Sequence, residues 1–214
     1  PKYIDFNEII FDPSPTIGLP EFEYLELYNR SPYPANLEVW TFSSGNRLYL
    51  FPHIVIPGGE YLVLGYEGTA KQYDSTGPFL ELLTTRTSLP NDGALLLLSD
   101  REKILIDWME YDPSMHDNDY YSEGGWALER VDPERLCMNR DNWATSKSSR
   151  GGTPGWENSV KQQNPDRVPP SPVNLYLPDS TTIVIEFSEG MDQGSLIEPR
   201  NYRVNRKQQY PQYI

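Results

Sequence analysis

The densest group of hard oxygen ligands in this 214-residue chain lies between Asp112 and Glu123, where Asp112, Asp117, Asn118, Asp119 and Glu123 gather within twelve residues. Calcium prefers several carboxylate and carbonyl oxygens, so Asp112, Asp117, Asp119 and Glu123 are the candidate metal ligands. The run lacks the fixed glycine and terminal glutamate of a calcium-binding helix-loop-helix, which makes a solvated acidic loop the competing reading. The same loop carries His116, Tyr120 and Tyr121. Aromatic rings beside hydrogen-bonding groups suit recognition of sugar or peptide, so these three are the candidate binding residues. Packing of the rings onto the body of the protein is the alternative, and for the neighbouring Trp126 packing is expected.

Other chemistry finds little support. A Ser-His-Asp or Cys-His device needs a base, and His53 and His116 are the two histidines. There is no Gly-x-Ser-x-Gly elbow, and Cys137 has only Arg135 and Arg140 as basic neighbours. Paired carboxylates are too numerous for any one pair to point to glycoside hydrolysis. Glu26, between Tyr24 and Tyr28, is the tempting one, and it is expected to cap or salt-bridge within a surface strand. No catalytic residue and no cofactor other than the calcium just considered is expected.

The elements that must position these groups read as strands. Tyr3–Phe11 alternates and breaks at Asp12-Pro13-Ser14-Pro15; Tyr24–Tyr28 sets Tyr, Glu, Tyr against Leu25 and Leu27. Leu37–Phe42 reads as a strand, and Leu48–Ile56 as one with an edge or bend at Pro52. Pro57-Gly58-Gly59 is a tight turn before a buried strand at Tyr61–Leu64. Asn91-Asp92-Gly93 reads as a hairpin turn, Ser99–Glu102 as a second, and Trp126–Val131 as a strand. No sustained helical period occurs, so any helix is short. Lys161–Pro172 is proline-rich and nearly free of apolar residues, as expected of a linker. Beyond it Thr181–Phe187 alternates, and this strand is expected to pair with the first domain or with a neighbouring molecule.

The totals agree with an all-β protein. Fifteen tyrosines and five tryptophans suit pleated surfaces, while 20 prolines and 15 glycines supply turns. A net charge of −13 repels a phosphate backbone, so nucleic acid is not an expected partner. The densest basic group, Arg200, Arg203, Arg206 and Lys207, has Glu198 beside it. One cysteine permits no intrachain disulfide, which leaves export open. The longest apolar run, Ala94–Leu98, is far short of a membrane span, so no insertion is expected. The sequence opens at Pro1 with no signal peptide, as expected of a piece cut from a longer precursor.

Several motifs in fixed order carry a resemblance. They are Asn7–Pro13 (NEIIFDP), Glu23–Asn29 (EYLELYN), Pro57–Leu64 (PGGEYLVL), Asn91-Asp92-Gly93 and Ile106-Asp107-Trp108. Gly124–Arg130 (GGWALER), Asn142-Trp143 and Gly152–Asn158 (GTPGWEN) follow. In this order they resemble a bacterial lamin tail domain over 2–160. Thr182–Asp192 (TIVIEFSEGMD), with Asn201-Tyr202-Arg203-Val204, is similar to the start of a bacterial surface-layer-type Ig-like domain. The resemblance implies an Ig-like β-sandwich at 2–160, a linker at 161–172 and an incomplete Ig-like domain at 173–214. It implies an exported, multidomain, extracellular or cell-surface protein with no known catalytic residues. The expected role is presenting or spacing other domains, with loops recognising protein or glycan. The alternatives are a carbohydrate-binding accessory module of a secreted hydrolase and a calcium-stabilised adhesion domain. By themselves, the glycines at 151, 152 and 155 with Pro154 suit a closing turn, and Trp126, Trp143 and Trp156 are large enough to seal an end of the sandwich. Glu129 and Arg130 are expected to make salt links at the sheet surface.

Overall fold

The computed structural model describes residues 3–203 apart from Thr76, Arg86, 136–139, Asp166, Val168, 189–190 and 192. Cys137, Glu189, Gly190, Asp192, Val204, Arg206 and Lys207 therefore lie outside the described residues. The chain divides into two compact units, the first holding the described residues through Pro165 and the second those from Arg167 onward.

The first unit is all-β. Its strands are β1 (Ile4–Ile10), β2 (Tyr24–Asn29), β3 (Ala35–Asn36), β4 (Thr41–Ser44), β5 (Arg47–Leu50), β6 (Val55–Ile56), β7 (Tyr61–Tyr66), β8 (Phe79–Leu83), β9 (Ala94–Ser99), β10 (Leu105–Tyr111), β11 (Leu128–Arg130) and β12 (Trp143–Thr145). One four-residue helix, α1 (Asp119–Ser122), follows β10. Six strands form a sheet in the order β12-β11-β1-β2-β7-β8, and four form a second in the order β10-β9-β4-β5. Neighbours run antiparallel except β7 and β8. Phe6, Ile9, Leu25, Leu27, Leu62 and Leu64 from the first sheet share one core with residues of the second that include Phe42, Leu96, Leu98 and Met109.

The period-2 alternation of β2 is present, since Leu25 and Leu27 enter that core. The opposite face of the six-stranded sheet is also covered. Ile10, Tyr24, Val63, Tyr73 and Ala127 form a second apolar cluster there, and β1 is buried along its whole length. The surface strand expected around Glu26 is thus an interior one.

Two local expectations change. Leu37–Phe42 is broken: Val39 has φ 61°, the Trp40 amide donates to the Leu37 carbonyl, and only Thr41 onward is strand. Burying both Leu37 and Trp40, three apart, favours a turn over an extended path. Asn91–Gly93 joins strands of different sheets, β8 and β9, so it is a crossing and no hairpin. Gly93, at φ 110°, has the Tyr111 carbonyl oxygen 2.4 Å from where a Cβ would stand, so both backbone angle and space require glycine. The strand read at Leu48–Ile56 divides around Pro52 into β5, an edge strand of its sheet that ends at Leu50, and β6, which begins at Val55. The hairpin at Ser99–Glu102 forms as β9 and β10.

In the second unit β13 (Pro172–Tyr176) pairs antiparallel with β14 (Val184–Phe187). The strand read at Thr181–Phe187 therefore finds its partner in the tail itself, in residues beginning at Pro172, the last of the expected linker. A short helix, α2 (Gln193–Leu196), follows.

Candidate functional site

Three strands of the six-stranded sheet each carry one glutamate at the same level. Glu8 on β1 stands opposite Glu129 on β11 and opposite Glu26 on β2. Like charges directly across a ladder are unfavourable, and all three residues have no exposed surface. A bulge between Phe6 and Glu8 turns Asn7 toward the same face. The sequence 151–160 lies over this rung as a roof and, with Tyr24 and Asn7, supplies its hydrogen bonds.

The contacts are specific. Glu8 Oε1 accepts from the Tyr24 hydroxyl at 2.6 Å and the Thr153 amide at 2.7 Å. Thr153 Oγ1 lies 3.0 Å from Glu8 Oε2 and 3.2 Å from Glu129 Oε1. Glu129 Oε2 accepts from Ser159 Oγ at 2.8 Å and the Val160 amide at 3.1 Å. Glu26 accepts from Asn7 Nδ2 at 2.7 Å and from the Gly155 amide. Asn158 fastens the end of the roof, donating to the Asn7 and Arg130 carbonyls at 3.0 and 2.8 Å. Among the described residues, none of the three glutamates makes an ion pair. Burial pushes Glu8 well above the usual carboxylate range, helped by the charges of Glu26 and Glu129. Burial also raises Glu26 to about 8, against the lowering effect of its bonds from Gly155 and Asn7.

Beside the rung is a buried ionic network. Arg130, expected at the surface with Glu129, is 2% exposed. It donates to the Phe6 and Arg135 carbonyls and lies 3.5 Å from Asp107 Oδ2 and 3.8 Å from Asp5 Oδ1. Asp107 accepts from the Phe6 amide at 2.7 Å, and burial raises its pKa to about 7 despite Arg130. Arg30 pairs with Asp5 from the other side. A shallow dent lined by Asn7, Tyr28, Tyr61, Arg130, Asn158 and Lys161 opens next to this network, with the Tyr28 and Tyr61 rings stacked at 4.8 Å.

The acidic loop is built differently. Asp112 caps a short turn, accepting from the Ser114 amide at 2.8 Å, and pairs with Arg140 at 2.9 Å. Its bonds from Ser114 and the Arg140 charge lower its pKa. Asn118 caps α1 through bonds from the Tyr120 and Tyr121 amides. Asp119 lies in the first turn of α1, and Glu123 follows its last residue. The Asp117 amide donates to Thr145 Oγ1. Among the described residues, no three His, Cys, Asp or Glu side chains converge as metal ligands do. His116 is buried, Nδ1 3.1 Å from Thr145 Oγ1, with its ring 5.7 Å from that of Phe11. Burial lowers it to about 4, so it is neutral at pH 7. Tyr120 is 64% exposed and meets Tyr121 edge to face at 5.3 Å; Tyr121 in turn meets Trp126 at 4.9 Å. Of the candidate binding residues, Tyr120 thus faces solvent, Tyr121 joins it to the half-buried Trp126, and His116 faces the interior.

Of the sealing tryptophans, Trp143 packs against the main core, while Trp156 stays 47% exposed and donates its indole N–H to the Asp74 carbonyl. His53 is exposed and meets Glu38 at 3.5 Å.

The sequence alone does not single out Glu8, Thr153 and Ser159, and it places Glu129 only in a surface salt link. Their signal was a carboxylate in the middle of each of three strands, with a hydroxyl-bearing, glycine-rich segment downstream. No family model matches this chain, and comparison with curated proteins gives no match.

Proposed function

We propose that this chain is a non-catalytic structural and binding module of an exported bacterial cell-surface protein, an Ig-like sandwich of the lamin-tail type. A linker and a partial Ig-like domain follow it in this reading. Its role is to present or space other domains and to recognise protein or glycan through the loop at 112–124.

The observation that carries the reading is the division of labour between polar groups. The carboxylates whose residue type suits acid-base chemistry, Glu8, Glu26 and Glu129, are closed under the roof and bonded to it. A glycosidase pair must instead flank an open sugar site. Exposed aromatic surface sits elsewhere, at Tyr120 on a capped helix, which is the kind of rigid ring that anchors a partner.

The test is a glycan and peptide array probed with the wild-type chain and with Tyr120→Ala. Binding that the substitution removes supports the reading. Array signal that survives it takes Tyr120 out of the site. Turnover of a glycoside or ester substrate that Glu26→Gln abolishes would overturn the non-catalytic assignment.

A further inference from the structure

We infer that the Glu129–Glu8–Glu26 rung and the roof at 151–160 form an acid-favoured latch, closed by protons held within the rung and loosened as the rung ionises fully. Hydrogen counts at Thr153 point to it. The Thr153 hydroxyl carries one hydrogen and lies within bonding distance of both Glu8 Oε2 and Glu129 Oε1. If it donates to one carboxylate, its contact with the other sets lone pair against lone pair, unless that carboxyl is protonated and donates to Thr153 Oγ1. The same threonine then bridges the two strands and the roof.

Among the described residues, no cation faces the rung. From β1 the rung is faced by Asn7, from β2 by Tyr24, and from the β7 side by Tyr61 and Tyr73, whose hydroxyls are also pushed up by burial and by the glutamates. The roof supplies Thr153, Gly155, Ser159 and Val160, all neutral donors. Lys147 contributes its amide, which donates to Ser159 Oγ at 2.7 Å. The charged groups on these elements are engaged elsewhere: Lys161 with Glu157 at 2.6 Å, Arg150 with Asp74 at 3.9 Å, and Arg130 with Asp5 and Asp107. Three full charges on adjacent strands with no paired cation among the described residues would repel one another, and the roof, bonded to all three carboxyl groups, is the cover that this repulsion loosens.

Amide hydrogen exchange on the full chain tests this, corrected for intrinsic rates at pH 5.5 and 8.5. The Thr153, Gly155 and Val160 amides report the roof, and Leu62 and Leu64 on β7 report the core. The expected result is that roof protection drops at least about tenfold at the higher pH, the effect of a pKa displaced by one unit or more. Roof protection should also stay below that of the core at both pH values. Glu8→Gln, which is neutral at any pH, is expected to flatten the drop, and Glu129→Gln serves if that variant does not fold. Roof protection that is independent of pH, that equals the core's, or that falls as steeply in the glutamine variant would overturn the latch.

Discussion

Glu8 and Glu129 face each other across β1 and β11 with a single threonine hydroxyl, that of Thr153, 3.0 and 3.2 Å from their carboxyl oxygens. Two acidic side chains with no exposed surface thereby converge on one roof residue. An arrangement so unfavourable for free carboxylates persists because every oxygen involved has a donor close by.

Replacing Thr153 by valine keeps the shape and removes the hydroxyl. Carboxyl oxygens on both glutamates then lose a partner in a dry site, which costs about 1–3 kcal/mol. Urea unfolding at pH 7 is expected to show a lower midpoint with an unchanged slope. Serine at the same position should restore most of the loss.

Overall stability is expected to fall as pH rises from about 5 to about 8.5. Glu26 and Glu23 are raised to about 8 and Asp107 to about 7, so the native chain keeps protons that the unfolded chain releases near 4.5 or below. The contribution is complete below the unfolded values and lost as pH climbs through the folded ones, at up to about 1.4 kcal/mol per pH unit for each proton. His116 acts the other way: held down to about 4, its contribution is present above 6.5 and lost as pH falls through 4. Urea midpoints across pH 4–9 should therefore peak on the acid side of neutrality.

Arg130→Met is expected to cost about 3–5 kcal/mol, because it leaves Asp107 buried without its cation, while Asp5 keeps Arg30. Adding Asp107→Asn should recover part of that loss. Thermal melts of the two single variants and the double variant measure the coupling, and strictly additive losses would separate the two residues.

Gly152→Ala tests how closely the roof sits. A Cβ there would stand 2.4 Å from the Tyr24 hydroxyl and 2.6 Å from Glu8 Oε1, so the roof must lift or Tyr24 must move. A melting temperature well below wild type is expected, together with faster exchange at the Thr153 and Gly155 amides.

Much of the fold was legible in the sequence. Alternation in Tyr3–Phe11 and Tyr24–Tyr28 marked strands with one apolar face, and Pro52 marked an edge or bend, which falls just after the edge strand β5. The turn at Ser99–Glu102 marked the hairpin of β9 and β10. Less legible was the site. Glu26 looked like a surface residue because its neighbours Tyr24 and Tyr28 are amphipathic, and Glu129-Arg130 looked like a surface ion pair. Each reading assumed that the polar face of the strand meets water.

By itself the sequence determined which residues extend, where the chain must turn, and which side chains share a face, because these depend on local sterics and a two-residue period. Only the tertiary structure decided that β11, β1 and β2 are neighbours in a register that aligns Glu129, Glu8 and Glu26. The roof at 151–160, which covers them, belongs to the same decision. Strand adjacency is set by contacts between residues more than a hundred positions apart, such as Glu8 with Glu129 and Thr153. A periodic pattern shows which face a residue occupies but carries no information about what comes to lie upon that face.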